Sequence, residues 1–389
     1  MKRNLLAILS VAITMFFTSC SGDSYLNAIP GESNALISMD MGKLANDNKL
    51  SGKENLLKTM FHVDDMKDCG LDLSEKLYLF ESPDGNLGVC AKVDDSGDLE
   101  DWLTKLSKAG ICKTVTEHRG FHFTVLKGTW VVGFSDDAFL VMGPVVGSAQ
   151  DEMISTISKY LKADEDEGIK GRPIFDKLDS IPSAMAMVAQ AKALPAQFVA
   201  PFTLGAPKGT DASQVLIAAE ISVSDGCMDI KGETFSFNKG VDAAIKKAST
   251  VYRPIKGKYV ATMPQNAFAG IFVNVEGTKF LPMMQTNKGI QAMLAGINSA
   301  IDMDNIIRSV NGDMTILMPT MTDKNTSIMM GAQLANSKWL ADVDYWKQSC
   351  PKGGRIIDSG KNAFYYTDGT TNYFFGVTPD LQYFSGSNK

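Results

Sequence analysis

Gly133-Phe134-Ser135-Asp136-Asp137 and Gly376-Val377-Thr378-Pro379-Asp380 are two copies of one short motif, 243 residues apart. The same spacing aligns Gly143 with Gly386. A serine or threonine followed by an acid is typical of a turn, because both side chains can accept backbone N–H groups. The motif therefore predicts a β-hairpin turn that occurs twice, and the segments before it show how far the duplication extends.

The elements upstream of the turn come in the same order in both copies. An apolar strand runs into a helix that carries tryptophan, and two more short strands follow around a glycine. In the first copy these elements are 88–93, 99–109 with Trp102, and 114–125 around Gly120. In the second copy they are 327–334, 338–349 with Trp339 and Trp346, and 355–366 around Gly360.

A proline followed by an alternating apolar strand occurs in three places, which fits the position of proline at strand starts. The prolines are Pro30, Pro182 and Pro264, and a helix-like stretch follows each strand near Lys43, Ala191 and Lys279. In the middle segment, 215–223 and 227–237 read as a hairpin and 239–248 as an amphipathic helix. We interpret this segment as half of a repeat.

Segregated helices with antiparallel hairpins predict an α+β fold, here a duplicated module of antiparallel strands with segregated helices. With 389 residues the chain exceeds the size at which one core stops growing. The predicted divisions are a signal peptide at 1–19, a tether at 20–24, a first module at 25–170, a bridging half-module at 171–253 and a second module at 254–389.

The N-terminus has the layout of a lipoprotein signal. Lys2 and Arg3 precede an apolar run over 5–17, and Thr18-Ser19-Cys20 follows. The run is too short for a membrane-spanning helix, and small residues before a cysteine suit cleavage and acylation of the thiol. We expect Cys20 to become the lipidated N-terminus and to anchor the chain to the outer membrane or cell envelope, facing either the periplasm or the outside.

Composition narrows the classes of partner. The formal net charge is −6, and loss of Lys2 and Arg3 with the signal makes it about −8, so nucleic acid is not an expected partner.

The cysteines after Cys20 lack C-x-x-C spacing, so neither a zinc site nor a redox pair is indicated. If one disulfide exists, Cys90 with Cys112 is the first pair to consider.

Ser24-Tyr25-Leu26-Asn27-Ala28-Ile29-Pro30 lies just after the signal and runs into Ala35-Leu36-Ile37-Ser38-Met39-Asp40. This stretch resembles the start of the Bacteroidetes lipoproteins grouped as domain of unknown function 4836. The resemblance implies an envelope lipoprotein. It supplies no catalytic residues.

Two motifs could carry metal chemistry. On a helix, His118 and His122 could hold zinc, but Gly120 and the β-rich flanks favour a hairpin tip with the rings on opposite strands. The acidic run 164–168 lacks the spacing of a calcium loop and reads as a solvated linker. No metal or cofactor is predicted.

The sequence contains no recognisable catalytic motif, which leads to three hypotheses about function. The first is a non-catalytic scaffold or binding module for an envelope protein, a glycan or a lipid. The second is a carrier of an apolar ligand, suggested by the methionines between Met283 and Met330, although a role in the core explains them better. The third is a hydrolase that uses the turn aspartates Asp137 and Asp380.

Overall fold

The computed structural model describes residues 22–46, 66–224, 227–321 and 326–387. The predicted signal peptide and Cys20 lie outside the described residues. The chain divides into two compact units, one made of the residues up to 194 together with 216–234, and the other of 195–215 together with 235–389.

The first unit contains one antiparallel sheet of ten described strands. The strands are β1 (Ala35–Met39), β2 (Leu77–Glu81), β3 (Leu87–Lys92), β4 (Thr116–His118), β5 (Phe121–Leu126), β6 (Trp130–Phe134), β7 (Ala138–Gly143), β8 (Met185–Gln190), β9 (Leu216–Ser224) and β10 (Cys227–Phe235). The α-helices are α1 (Met41–Asn46), α2 (Ser96–Lys108), α3 (Gln150–Leu161) and α4 (Pro173–Asp179).

The second unit contains an antiparallel sheet of seven described strands. Its helices are α5 (Ala196–Phe202), α6 (Lys239–Ser249), α7 (Gly277–Thr286), α8 (Lys288–Asn298), α9 (Met303–Arg308) and α10 (Val343–Ser349). Its strands are β11 (Ala269–Glu276), β12 (Val310–Met321), β13 (Thr326–Leu334), β14 (Arg355–Gly360), β15 (Ala363–Thr367), β16 (Asn372–Val377) and β17 (Gln382–Gly386).

The strand order confirms the duplication and the α+β class. The second sheet runs β11-β12-β13-β17-β16-β15-β14, and the first contains the same order, β1-β2-β3-β7-β6-β5-β4. The first sheet continues beyond β1 through β8, β9 and β10. Segment 171–253, predicted as a bridging half-module, is therefore divided: its strands join the first sheet, whereas α5 and α6 belong to the second unit.

The serine and threonine of the duplicated turn cap it as predicted, whereas Asp137 and Asp380 accept side-chain hydroxyl groups. The Ser135 hydroxyl accepts the N–H groups of Asp137 and Ala138 at 3.2 and 3.1 Å. In the second copy, the Thr378 hydroxyl accepts the N–H of Gln382 at 3.0 Å. The conserved spacing of the motif thus reflects turn geometry.

The alignment of Gly143 with Gly386 is wrong by one residue. Gly133 lies opposite Leu140 across the first turn, whereas Gly376 lies opposite Phe384 across the second. The second turn is one residue longer, and Leu381 takes a left-handed conformation there, with φ 62°. Beyond this insertion the second copy is displaced by one position, so Gly386 corresponds to Met142.

Helix α2 shows how local sequence positions the core of the first unit. The Asp95 carboxylate accepts the N–H groups of Gly97 and Asp98 at 2.8 and 2.9 Å and caps the helix. Apolar residues recur at helical spacing and pack on the inner face of the sheet. These buried residues are Leu99, Trp102, Leu103 and Leu106.

The core of the second unit is built around Trp339. This side chain is 0% exposed. Its ring stacks on Trp346 with a centroid distance of 6.0 Å and meets Tyr383 edge-on at 6.1 Å. The indole N–H of Trp339 has no hydrogen-bond partner among the described residues.

No helix of the described part of the chain combines the length and hydropathy that a membrane crossing requires.

Candidate docking face of the second sheet

Each unit has a short segment that crosses one face of its sheet. Residues 24–30 read Ser-Tyr-Leu-Asn-Ala-Ile-Pro, and residues 258–264 read Lys-Tyr-Val-Ala-Thr-Met-Pro. Each contains a 3₁₀ turn, Ser24–Ala28 in one and Val260–Thr262 in the other. We call them the first strap and the second strap. Tyrosine, an aliphatic residue and proline occupy the same positions in both.

The two straps lie on equivalent places of their sheets. In the first unit, the Cys90 thiol on β3 donates to the Tyr25 carbonyl oxygen at 3.4 Å. In the second unit, Tyr259 packs over Gly331 on β13, where a Cβ atom would lie 3.4 Å from the tyrosine ring. Strand pairing places Cys90 and Gly331 at equivalent positions next to the central strands β7 and β17. The straps are thus a further part of the duplication.

In the first unit, helix α3 completes the cover of this face. It contacts β6, β7 and the first strap. A Cβ atom at Gly133 would lie only 2.6 Å from the Ile157 side chain, so the helix sits directly on the sheet. Leu26 and Ile29 of the strap are 4% and 0% exposed. This face of the first sheet is therefore closed.

The same face of the second sheet is open. No helix among the described residues of the second unit takes the place of α3 on it. Apolar side chains extend across five strands of this face, and we call them the open face. Its members are Met329, Ile357, Tyr365, Phe374 and Phe384.

Register and ring geometry show that the open face is one continuous surface. Ile357 lies opposite Tyr365, and Tyr365 lies opposite Phe374. The rings of Tyr365 and Phe374 stack with a centroid distance of 4.4 Å. Met329 and Phe384 are 46% and 42% exposed. Soluble proteins rarely leave a contiguous apolar surface of this kind without a use.

The second strap is exposed on the same side. Val260 is 54% exposed, whereas Leu26 at the equivalent strap position is almost completely buried. Met263 is 37% exposed, whereas its counterpart Ile29 has no exposed surface. Strap and sheet together therefore present the apolar lining that helix α3 covers in the first unit.

Asp313 holds the backbone in place where the chain enters the second strap. Its buried carboxylate accepts the N–H groups of Lys256 and Lys258 at 3.0 and 2.8 Å. The Asn274 side chain donates to it at 2.8 Å. Burial alone would raise the pKa of Asp313, but these hydrogen bonds outweigh burial and lower it.

We expect Asp313→Asn to destabilise the protein at neutral pH. The two backbone N–H groups bond to different carboxylate oxygens, and the amide has only one oxygen, so one N–H group loses its acceptor. A buried donor without a partner costs about 1–3 kcal/mol. A lowered folded-state pKa means that the stabilisation is present above the unfolded pKa, about 3.9, and is lost as the pH falls through the folded value. Denaturant unfolding of both proteins from pH 7 to pH 3 should show the difference shrinking below about pH 4.

The matched control for Asp313 is Asp344→Asn, because that carboxylate lies on the surface beside Lys347. It should change the free energy of unfolding by less than about 0.5 kcal/mol. An Asp313→Asn variant as stable as the wild-type protein at pH 7 would contradict the anchoring role.

The model of the family described as domain of unknown function (DUF4836) matches residues 52–389. The chain belongs to this family. No curated protein sequence matches it. A solved structure described as crystal form IV of TP0453 is similar over 58% of this chain and 95% of that chain, with 12% sequence identity and a TM-score of 0.30.

The two turn aspartates accept different hydrogen bonds. Each lies in its own turn, Asp137 in the first unit and Asp380 in the second. Asp137 accepts the Ser24 hydroxyl at 3.1 Å. Asp380 accepts the Thr378 hydroxyl at 2.6 Å, which lowers the pKa of that carboxyl.

The histidines lie as predicted for a hairpin. His118 is on β4 and His122 on β5, so their rings are on opposite strands. The ring of His122 stacks on Phe134 at 5.0 Å. Residues 164–167 of the acidic run form an exposed turn in which Asp164 accepts the N–H groups of Asp166 and Glu167, whereas Gly168 is buried opposite Pro30.

None of the described cysteines forms a disulfide, so the pairing of Cys90 with Cys112 is not present. The Cys112 thiol donates to the Leu103 carbonyl at 3.3 Å, while that of Cys90 bonds to the first strap on the other face of the sheet. Burial raises the pKa of both thiols.

The methionine-rich stretch is mainly core. Met284, Met303 and Met314 are buried in the cluster around Trp339. Met283 and Met330 are partly buried against the same cluster, Met329 is exposed on the open face, and the side chains of Met293 and Met321 lie outside the described residues. The core interpretation is confirmed for the three buried residues, and the exposed one marks the surface that the sequence did not reveal.

Proposed function

We propose that this chain is a lipid-anchored, non-catalytic binding module of the bacterial cell envelope, and that the open face with the second strap is its docking surface. The observation that carries the proposal is the contrast between the two copies. One face of the duplicated sheet is closed by strap and helix in the first unit and exposes aromatic side chains in the second.

The chemistry of the surface favours binding a protein. Aromatic residues and methionine are enriched at protein–protein interfaces, where they supply large contact areas at low entropic cost. Tyr365, Phe374 and Met329 provide such groups in one row. The turn aspartates support a non-catalytic role, because each carboxylate accepts a structural hydrogen bond, Asp137 from Ser24 of the first strap and Asp380 from Thr378 of its own turn.

The anchor places the partner in the envelope. We propose that Cys20 carries the lipid, as the signal layout indicates, and that the membrane is one partner through this anchor. An envelope protein is then the second partner, in preference to a glycan or a free lipid, because the open face is apolar and spans several strands.

Chemical cross-linking in intact cells tests the proposal. We expect a discrete adduct of the wild-type chain that falls at least tenfold in Phe384→Asp, because a buried unpaired charge would disfavour the interface. Tyr345→Asp is the matched control, since Tyr345 is 70% exposed on α10, away from the open face. Equal adducts from both variants, or none from the wild-type chain, would count against docking at this face.

A further inference from the structure

The open face beside the second strap is wide enough to hold one helix. Strands β17, β16, β15 and β14 are neighbours in the sheet, and three inter-strand spacings of about 4.8 Å give about 14 Å. A helix with its side chains is about 10–12 Å across. The second strap bounds one side of this space, as the first strap bounds helix α3.

We propose that the occupant of the open face is an amphipathic α-helix of a partner protein, seated where α3 lies in the first unit. This inference rests on the proposed docking function and specifies the class of partner. The exposed side of the second strap carries the argument. Val260 and Met263 lack the cover that their counterparts Leu26 and Ile29 receive in the first unit, where α3 contacts the first strap.

A helix explains both exposed parts at once. A single helix lying on β16 and β17 could contact both. One row of its side chains would contact the sheet, and a neighbouring row, offset by three or four residues, would contact the strap. An added β-strand would pair at a sheet edge. Apart from Ile357 on the edge strand β14, the exposed apolar groups here lie on the face of inner strands, where the backbone groups are already paired.

The surroundings of one glycine differ between the two units, and this difference indicates that the partner helix does not pack in the same way as α3. In the first unit, the space at Gly133 receives Ile157 beside the Phe123 ring, each 2.6 Å from where a Cβ atom would lie. At the equivalent Gly376, a Cβ atom would lie 2.7 Å from the Phe384 ring, so this ring already fills the depression. The partner helix therefore lies on ring faces, which suits methionine and aliphatic side chains. A second copy does not supply it through α3, because α3 is packed on its own sheet.

The test uses a photo-reactive phenylalanine analogue placed at Phe384 or at Val260 of the full chain in intact cells, followed by mapping of the attached residues. We expect both positions to label one partner, on residues of a single segment separated by three, four or seven. Phe374→Asp should reduce labelling from position 260 at least tenfold, and Tyr345→Asp should leave it unchanged. Melting curves of the purified variants confirm that each is folded.

The outcomes separate the inference from the proposed function. Labelled residues that alternate by two, or labels on different segments, would overturn the helix and leave docking at this face in place. Labels on lipid would show that the open face meets the membrane and would also overturn it. The absence of any label at both positions would overturn the docking function together with the helix.

Discussion

A Cys20→Ala variant whose signal is replaced by one that is cleaved without acylation is expected to leave the membrane fraction almost completely, at least a hundredfold in the ratio of bound to free protein. Each buried methylene of an acyl chain contributes about 0.8 kcal/mol, so two or more chains make the attachment effectively permanent, and loss of the thiol removes all of them. Cell fractionation with immunodetection measures the ratio. Incorporation of a clickable palmitate analogue should disappear in the same variant.

Cys227→Ala is the matched control, because Cys227 is exposed and forms no disulfide. It should keep both the label and the membrane attachment. A Cys20→Ala protein that still sediments with membranes and is released by high salt would show that attachment depends on charge, and the anchor would be rejected.

The second large effect is expected for Trp339→Ala. Removal of a fully buried aromatic ring leaves a cavity and typically costs about 3–5 kcal/mol. Trp339 also orders its neighbours, since Trp346 stacks on it and Tyr383 meets it edge-on. Denaturant unfolding followed by circular dichroism should show a loss of this size in the free energy of unfolding.

The Trp339→Phe variant separates the effect of lost side-chain volume on stability from the effect of the indole N–H. The indole N–H of Trp339 has no hydrogen-bond partner in the described part of the chain, so its removal offsets part of the lost packing. We expect Trp339→Phe to cost less than half as much as Trp339→Ala. A cost below about 1 kcal/mol for the alanine variant would place this residue outside the set of core positions that typically lose 3–5 kcal/mol.

Most of the elements could be predicted from the sequence because their signals are local. Helix α2 has its cap at Asp95 and an apolar stripe, and the hairpin of β9 and β10 has alternating strands. The turn around Ser135 is specified by its own side-chain hydrogen bonds. Such features depend on residues that are near one another in the chain.

Register and exposure depend on distant residues, and there the sequence was insufficient. The one-residue insertion at Leu381 leaves the motif recognisable, but every residue after it corresponds to a different residue of the first copy. The open face had a weak signal: β15 and β16 are apolar at consecutive positions, as in Tyr365-Tyr366 and Phe374-Phe375. Such runs indicate strands with two apolar faces but do not reveal which face lacks a cover.

The first strap begins very close to the proposed anchor. Asp23 pairs with Lys170 at 3.1 Å, and the 3₁₀ turn starts at Ser24. Three residue steps from Cys20 to Asp23 span at most about 10 Å. A lipid on Cys20 would thus limit the height of the first unit above the bilayer to about one nanometre. The headgroup region would form part of its surroundings, and ligands that reach it would diffuse mainly in two dimensions.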